Sequence, residues 1–332
     1  MAASRSTPAA AAGGIACLPL PTPLPVGDVN AYLVDGDPLV LVDCGPAWVT
    51  TLVALEAALA AVGRAVEDVG LLVLTHHHPD HFGLAAEVVR RSGATVAAAA
   101  STVAPLADWE AWSRRADGLV CDGMVRHGVP TAVAEALRDA GPTTRQWASS
   151  VRVDRPLRDG DVLELGGRPH VVAERPGHSE SDLLLVDHAA RTAIGGDHLL
   201  AGISSNALVA PPLRASGTGR PRALLQYRRS LRATRALELD VVLPGHGPPV
   251  TGLRALIDER LAAQEHRART FLGLLEDGPA SAHDLAVARW GAVALRQPYA
   301  TLSEVLGHLD LLVEDGRAVE DREGAIVRFA RR

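Results

Sequence analysis

Seven consecutive residues, Thr75-His76-His77-His78-Pro79-Asp80-His81, carry the strongest signal in this sequence. They directly follow Leu71–Leu74, a short apolar run that predicts a buried central strand. Four of them are potential metal ligands at the end of that strand: His76, His78, Asp80 and His81. Histidine and carboxylate at this spacing suit zinc better than calcium or magnesium. The segment predicts a metal site, and a solvated histidine-rich turn is the alternative.

Three later fragments each place a potential ligand beside glycine at the end of a predicted strand. They are Gly177-His178-Ser179, Gly195-Gly196-Asp197-His198 and Gly245-His246-Gly247. Any one of them alone is more often a turn with an incidental imidazole than a ligand. In this order, across an alternation of predicted strands and helices, coincidence is a poor explanation.

The ordered set resembles the metallo-β-lactamase superfamily over about Val29–Pro249. The resemblance implies an α/β fold, a four-layer αββα sandwich with the metals at one edge of its two sheets. It also implies two Zn²⁺ per chain, although iron or manganese would accept the same ligands. The implied ligands are His76, His78 and His178 for the first zinc, Asp80, His81 and His246 for the second, and Asp197 between them.

Asp43, in the run Leu41-Val42-Asp43-Cys44-Gly45, matches the acidic residue that follows an early strand in this family. We expect it to orient a histidine ligand, and a turn-capping role before Gly45 is the alternative. His77 and His198 lie in the motifs but off the ligand pattern. We expect them to support the ligands or to face solvent.

The resemblance implies a dinuclear zinc hydrolase in which a hydroxide bridging the metals attacks an ester, a thioester or a lactone. Asp80 is the catalytic candidate, because it could take the proton during attack. True zinc β-lactamases place Cys or Ser where Asp197 stands, so efficient lactamase activity is not expected. All 33 basic residues are Arg, which excludes lysine nucleophiles and departs from the glutathione thioesterases of this family.

The chain divides into three predicted parts. Residues 1–14 are predicted to be a disordered tail, and 15–250 the hydrolase domain with a helical insertion at about 103–150. Residues 253–332 show three helices and a hairpin, the order of a winged helix. Relatives with such a module cut single-stranded RNA, so an endoribonuclease is the first alternative, and a metabolite-sensing regulatory protein is the second.

The charge of the C-terminal module argues against nucleic acid as a partner. It has 11 Arg against 13 acidic residues, a net charge of −2, where a nucleic-acid module is normally basic. The whole chain has a net charge of −6. The module is expected to buttress the pocket or to form a homodimer interface.

The insertion contains three of the five Trp residues, Trp109, Trp112 and Trp147. We expect them to line a substrate pocket for a small molecule with an apolar acyl part, and packing of the insertion's own core is the alternative. The loop Ile203–Gly217 is a second candidate wall, with Ser204, Ser205 and Asn206 as contacts.

Three unpaired Cys and the lack of a signal peptide or of a long apolar run predict a cytoplasmic protein without a membrane partner.

Overall fold

The computed structural model describes residues 9–10, 14–213 and 220–332. The predicted tail at residues 1–14 therefore lies largely outside the described residues, as does the end of the Ile203–Gly217 loop. Within the tail, Ala9–Ala10 pair antiparallel with Ala16 and Cys17.

Two sheets form the centre of the molecule. The first has seven strands in chain order: β1 (Ala9–Ala10), β2 (Ile15–Leu20), β3 (Val29–Val34), β4 (Leu39–Val42), β5 (Val69–Val73), β6 (Thr95–Ala99) and β7 (Arg155–Leu157). The second has six: β8 (Val162–Leu165), β9 (Arg168–Glu174), β10 (Leu183–Asp187), β11 (Thr192–Gly196), β12 (Val241–Pro244) and β13 (Val250–Thr251). Strands β4 to β7 pair parallel, as do β11 and β12.

The helices either pack on the outer faces of the two sheets or belong to the insertion and the C-terminal module. They are α1 (Val49–Ala61), α2 (Pro79–Phe82), α3 (Ala85–Ser92), α4 (Val103–Ala107), α5 (Trp109–Arg126), α6 (Thr131–Arg145), α7 (Ala223–Arg235), α8 (Leu253–Leu274), α9 (Ala282–Trp290), α10 (Ala292–Arg296) and α11 (Pro298–Glu314). A two-stranded hairpin, β14 (Ala318–Asp321) and β15 (Arg328–Arg331), closes the chain.

Alternation along the strands creates the four layers. In β4, Leu41 packs with the helices α1 and α3, while Val40 and Val42 pack between the sheets. In β10, Leu185 packs between the sheets and Leu184 packs with α7 and α8. Strands with both faces covered are apolar throughout, which explains the continuous hydrophobic runs. The predicted αββα sandwich is confirmed.

The insertion and the C-terminal module share one hydrophobic core. Cys121 and Met124 of α5 pack in the same cluster as Phe271 of α8, Leu309 of α11 and Phe329 of β15. The three predicted helices and the hairpin follow one another in the predicted order, with the short α10 added. The module is thus joined to the insertion rather than standing apart from it.

The sequence favours one continuous helix over Phe82–Arg91 and no strand before Val29, and the structure differs from both expectations. The helix predicted from Phe82 to Arg91 is interrupted, because α2 ends at Phe82 and α3 begins at Ala85. Gly83 stands at the break, where a Cβ would collide with the backbone oxygen of Trp147 and lie 2.5 Å from the backbone nitrogen of Ala47. The strand β2 was not predicted at all.

No helix in the described part of the chain has the length and apolar character needed to cross a membrane.

Candidate metal centre

The candidate ligands meet where strands of both sheets end. Asp43 follows β4, the Thr75–His81 loop follows β5, Asp197 follows β11 and His246 follows β12. The carboxyl ends of parallel neighbours lie at the same edge of a sheet, so topology brings these residues together. The two sheets are tied here by a bridge between Val29 and His246.

Three imidazoles form the first ligand group. Nδ1 of His78 lies 3.1 Å from Nε2 of His76 and 2.9 Å from Nε2 of His178. His178 reaches them from the loop between β9 and β10. These three side chains form one of the groups that could hold a metal ion.

Asp80, His81 and His246 form the second ligand group. Oδ2 of Asp80 lies 3.3 Å from Nε2 of His246 and 3.8 Å from Nε2 of His81. Asp80 and His81 belong to α2, which begins with Pro79 at its first position. Proline is favoured there because its fixed φ suits a helix start. Pro79 thus starts the short helix that carries both Asp80 and His81.

Asp197 lies between the two groups. Its Oδ1 is 3.4 Å from Nε2 of His81, and its Oδ2 is 3.5 Å from Nε2 of His178 and 3.6 Å from Nε2 of His246. One carboxylate thus contacts members of both groups. The structure brings together all seven residues that the sequence pattern selected.

The outer ring nitrogens of four histidines are held by neighbours. Nδ1 of His178 donates to the backbone oxygen of Asn206, and Nδ1 of His246 donates to that of Asp28. A carbonyl oxygen only accepts, so these rings carry a proton on Nδ1 and direct Nε2 toward the other ligands. His81 is fixed in the same way by a carboxylate, and His76 by a hydroxyl.

Asp43 orients the two histidines His81 and His76. Its Oδ2 accepts from Nδ1 of His81 at 2.8 Å and from the Thr75 hydroxyl at 2.7 Å, and its Oδ1 accepts from the Thr75 backbone N–H at 2.8 Å. Since that hydroxyl donates to Asp43, its oxygen accepts from Nδ1 of His76 at 3.1 Å. Asp43 therefore orients one histidine directly and another through Thr75.

The edge contains buried polar atoms that nothing in the described chain satisfies. Nε2 of His81, Oδ1 of Asp197 and Nε2 of His246 are buried and have no hydrogen-bond partner among the described residues. Unpaired buried polar atoms are costly and rare. Three of them facing one space fit bound metal ions.

The ionisation of the first ligand group favours cations. Burial and the neighbouring imidazoles hold the pKa of His76 well below the usual range, and burial with His178 and His77 does the same for the pKa of His78. Both rings are therefore neutral at pH 7. Metal binding requires that state, because a protonated imidazole nitrogen has no lone pair to offer.

At His81, a metal ion and a proton compete for the same ring nitrogen, Nε2. Burial opposes the charge of Asp197, yet the nearby His81 lowers its pKa, so this carboxylate is ionised. Burial also opposes a charge on His81, but Asp197, Asp80 and Asp43 raise its pKa well above the usual range. A cation at Nε2 would take the place of that proton among the same carboxylates, so metal binding here should release a proton.

A polar network behind the loop was missed by the sequence reasoning. The Ser181 hydroxyl lies 2.8 Å from Nδ1 of His77 and 3.2 Å from the Ser179 hydroxyl, which donates to Asp182 at 2.6 Å. The run Ser179-Glu180-Ser181-Asp182 was the available signal, because such residues bond to nearby backbone and side chains. His77 is buried within this network and does not face solvent.

His198 is likewise buried, with Nε2 at 2.9 Å from the Thr234 hydroxyl. Its backbone oxygen accepts from the Tyr227 hydroxyl at 2.7 Å. It connects the segment after Asp197 to α7. Of the two expectations for His198, support from behind the ligands describes its position.

The three tryptophans differ in their surroundings. Trp109 is only 6% exposed and packs edge-on against Phe82, which favours the core role. Trp112 is half-buried, stacks on Trp109 and lies edge-on to His77, with ring centroids 5.4 Å apart. Trp147 is half-buried, and its backbone oxygen accepts from Ala47. Of the three, Trp112 is thus the one whose ring contacts the loop Thr75–His81, which we call the metal-binding loop.

The loop after Asp197 returns to the ligands. The Ser205 hydroxyl donates to the backbone oxygen of Asp197, and the backbone oxygen of Asn206 holds His178. Ser204 is half-buried. These contacts position the loop beside the centre, and contact with a substrate stays a prediction.

Comparison with known proteins gives the family. The model of the metallo-beta-lactamase superfamily matches residues 24–246. The chain belongs to this superfamily. A probable metallo-hydrolase of Bacillus subtilis (strain 168), YqjP, is 34% identical over 315 residues, covering 93% of this chain and 95% of that protein. The predicted family is confirmed.

Two solved structures of superfamily proteins resemble the whole chain. The metallo-beta-lactamase family protein TTHA1429 from Thermus thermophilus is 30% identical, with a TM-score of 0.78 over 96% of this chain and 99% of that one. A beta-lactamase domain protein from Burkholderia ambifaria is 25% identical, with a TM-score of 0.83 over 100% and 96%. The likeness therefore includes the C-terminal module. As a superfamily member, the chain is a metal-dependent hydrolase with His and Asp clusters that could bind the metal.

Proposed function

We propose that this superfamily member is a dinuclear zinc hydrolase that cleaves an ester, a thioester or a lactone. The observation that carries the proposal is the position of Asp197, whose carboxylate contacts His81 of one ligand group and His178 of the other. A carboxylate shared by two groups of buried ligands is suited to a pair of cations.

The donor set supports zinc. Five imidazole nitrogens and two carboxylates suit zinc, while magnesium and calcium favour oxygen ligands. Iron and manganese accept the same residues, and the metal available to the protein decides between them. Zinc is the proposed metal because five of the seven candidate ligands are histidines.

When bound as a pair, zinc ions would supply Lewis acidity, which lowers the pKa of a shared water and polarises a carbonyl. The chain's own residues hold the geometry for this chemistry. Asp80 is the proposed catalytic residue, because burial opposes its charge but His81 and His246 lower its pKa. It is therefore ionised at neutral pH and can accept the proton that an attacking water loses.

An apolar acyl substrate is the proposed class. Trp112 contacts His77 of the metal-binding loop, so it is placed to present an apolar surface beside the centre. The chain carries a net charge of −6, which disfavours a polyanionic substrate. Trp112 and Trp147 are the proposed pocket residues, and Trp109 would support Trp112 from the core.

Cleavage of single-stranded RNA is the alternative, and the charges of the C-terminal module weaken it. Arg331 pairs with Glu276, and Arg322 pairs with Glu320 at 2.8 Å. These pairs neutralise much of the positive charge near the hairpin. A regulatory protein that senses a metabolite is the second alternative, and turnover by the metal centre would argue against it.

We further propose a cytoplasmic enzyme. Cys17, Cys44 and Cys121 are all free, which suits a reducing compartment. The partner would be the small-molecule substrate, and the C-terminal module would serve a homodimer interface or the pocket.

The test is turnover of a panel of lactones, acyl thioesters, aryl esters, β-lactams and single-stranded RNA, before chelation, after chelation and after zinc reloading. Asp80→Asn keeps the size of the side chain and should lower kcat by at least about 100-fold. Asp187→Asn is the control, because Asp187 is also buried but lies at the far end of β10. Turnover of RNA alone, or ester turnover that survives chelation, would refute the proposal.

A further inference from the structure

A cavity lies where the insertion meets the C-terminal module. It has a volume of about 460 Å³ and lies between α5, the segment 209–212, α11 and the closing hairpin. None of the seven candidate ligands lines it. We call it the junction cavity, because the insertion and the C-terminal module meet there.

One wall of the junction cavity is apolar. It includes Leu119 and Met124 of α5 and Leu302 and Leu306 of α11. Leu119 is 51% exposed, so it stands at the opening of the cavity. The volume falls within the range of small-molecule sites, which are mostly apolar with a few convergent polar groups.

One end of the cavity is positively charged. Arg126, Arg220 and Arg322 line it with Glu320. Arg220 is paired with Asp310 through two contacts of 2.6 Å, and Arg322 with Glu320. The side chain of Arg126 instead donates to the backbone oxygens of Arg322 and Gly324. Among the described residues at this end, three guanidinium groups and the carboxylates of Glu320 and Asp310 leave one positive charge in excess.

His127 adds an unsatisfied polar atom at the same end. The residue is 6% exposed and lines the cavity, and its Nδ1 has no hydrogen-bond partner within the described part of the chain. Burial, with Arg220 nearby, lowers the pKa of His127 to about 4, so the ring is neutral at pH 7. A neutral imidazole carries one N–H, so in the tautomer protonated on Nδ1 this nitrogen can donate one hydrogen bond to a ligand.

We propose that the junction cavity binds a medium-chain amphipathic carboxylate, with its chain against the apolar wall and its acid group at Arg126 and His127. The excess positive charge of the arginines favours an anion. Nδ1 of His127, when protonated, needs a hydrogen-bond acceptor. The wall of Leu119, Met124 and Leu302 calls for an apolar body. This site is distinct from the metal centre, because none of the candidate ligands lines the cavity, although the segment 209–212 continues from the loop that holds His178.

Two glycines of α5 give a matched pair of variants. Gly123 lines the cavity and Gly118 does not, and a Cβ at either position meets nothing within 4 Å. Gly123→Leu should fill the cavity, while Gly118→Leu should point into open space. Leucine is a better helix former than glycine, so both variants should fold, with melting temperatures no lower than that of the wild type.

The experiment is calorimetric titration of the full-length protein with decanoate and with 1-decanol. Wild type and Gly118→Leu should bind decanoate with the same Kd, and Gly123→Leu should bind it at least about 10-fold more weakly. Arg126→Gln should remove the preference for decanoate over decanol. Equal binding by Gly123→Leu and wild type, or no binding by the wild type, would overturn the proposal.

Carboxylates also bind metal ions, so the metal centre must be separated from the cavity. The same titrations are made after chelation and on His246→Ala. Unchanged decanoate binding supports the junction cavity, and complete loss in both overturns it. Because these measurements need no turnover, they remain informative even where every ester in the hydrolysis panel proves inert.

Discussion

Oδ2 of Asp43 lies 2.8 Å from Nδ1 of His81 and 2.7 Å from the Thr75 hydroxyl. One buried carboxylate thereby fixes the orientation of His81 and, through Thr75, that of His76. Supporting partners of this kind orient ligands and raise their basicity. The order in the metal-binding loop depends on a residue that does not itself reach the proposed metals.

Asp43→Asn should therefore weaken metal binding without removing any ligand. Loss of the carboxylate leaves His81 without its charged partner, and we expect about 10- to 100-fold lower zinc affinity. Competition with a chromophoric chelator measures the effect. The same substitution at Asp187, which is buried in the other sheet and pairs with Arg168, should leave zinc affinity unchanged. Equal losses in both variants would point to a general folding defect.

Gly245→Ala should disrupt the centre by sterics alone. A Cβ at Gly245 would collide with Oδ1 of Asp197 and lie 2.6 Å from Cε1 of His81. We expect at least about a 100-fold loss of kcat/KM, since displacement of a positioned group by about 1 Å is that costly. Gly202→Ala is the control, because its Cβ meets nothing within 4 Å. Retained activity in Gly245→Ala would show that turnover does not depend on the observed position of the Asp197 carboxylate.

Substitution of the stacked residues Trp109 and Trp112 should distinguish a role in packing from a role in substrate contact. Trp109→Ala removes a buried ring beside Phe82 and should lower the free energy of unfolding by about 3–5 kcal/mol. Trp112→Ala removes a half-buried ring beside His77 and should mainly raise KM for apolar esters. Denaturant unfolding and steady-state kinetics on both variants test this. A Trp112→Ala variant with unchanged KM would remove Trp112 from the pocket.

His127 should make the fold sensitive to acid. Burial, opposed by Glu320 but reinforced by Arg220, Arg126 and Arg322, lowers its pKa to about 4. Below the unfolded-state pKa of about 6.5, the unfolded chain binds the proton and the folded chain does not. Stability therefore falls as the pH drops from about 6.5 to 4, by at most about 1.4 kcal/mol per unit from this group.

His127→Gln should remove that part of the acid sensitivity. Denaturant unfolding of both proteins at pH 7 and pH 5 gives the comparison. The wild type should lose more stability than the variant between these two values. Identical losses would mean that folding does not lower the pKa of His127.

The sequence predicted the elements whose signal is local. One of the three predicted helices of the C-terminal module is α9, which begins at Ala282 because Ser281 and Asp284 form a capping box. The apolar run Leu71–Leu74 ends at the metal-binding loop because a buried strand must give way to polar sequence at an open edge. Strand β2 was missed because its residues include Pro19, and proline is depleted in strands.

The parts that failed depend on contacts between distant segments. The sequence of α5 does not reveal that Met124 packs in one cluster with Phe329. An amphipathic pattern indicates which face of a helix is buried, but it does not identify the residues that cover that face. The family pattern predicted that Asp43 orients a histidine ligand, but only the fold shows that this histidine is His81. The Ser179–Asp182 network likewise required the fold. The ligand residues were predictable because each follows a strand end at one edge.

The most direct test of the account is the zinc content of the protein after reconstitution and dialysis, measured by elemental analysis on wild type, His178→Ala and His246→Ala. The account predicts about two zinc ions per wild-type chain and about one in each variant, since each variant loses a ligand from a different group. One zinc or none in the wild type after reloading would contradict the dinuclear centre.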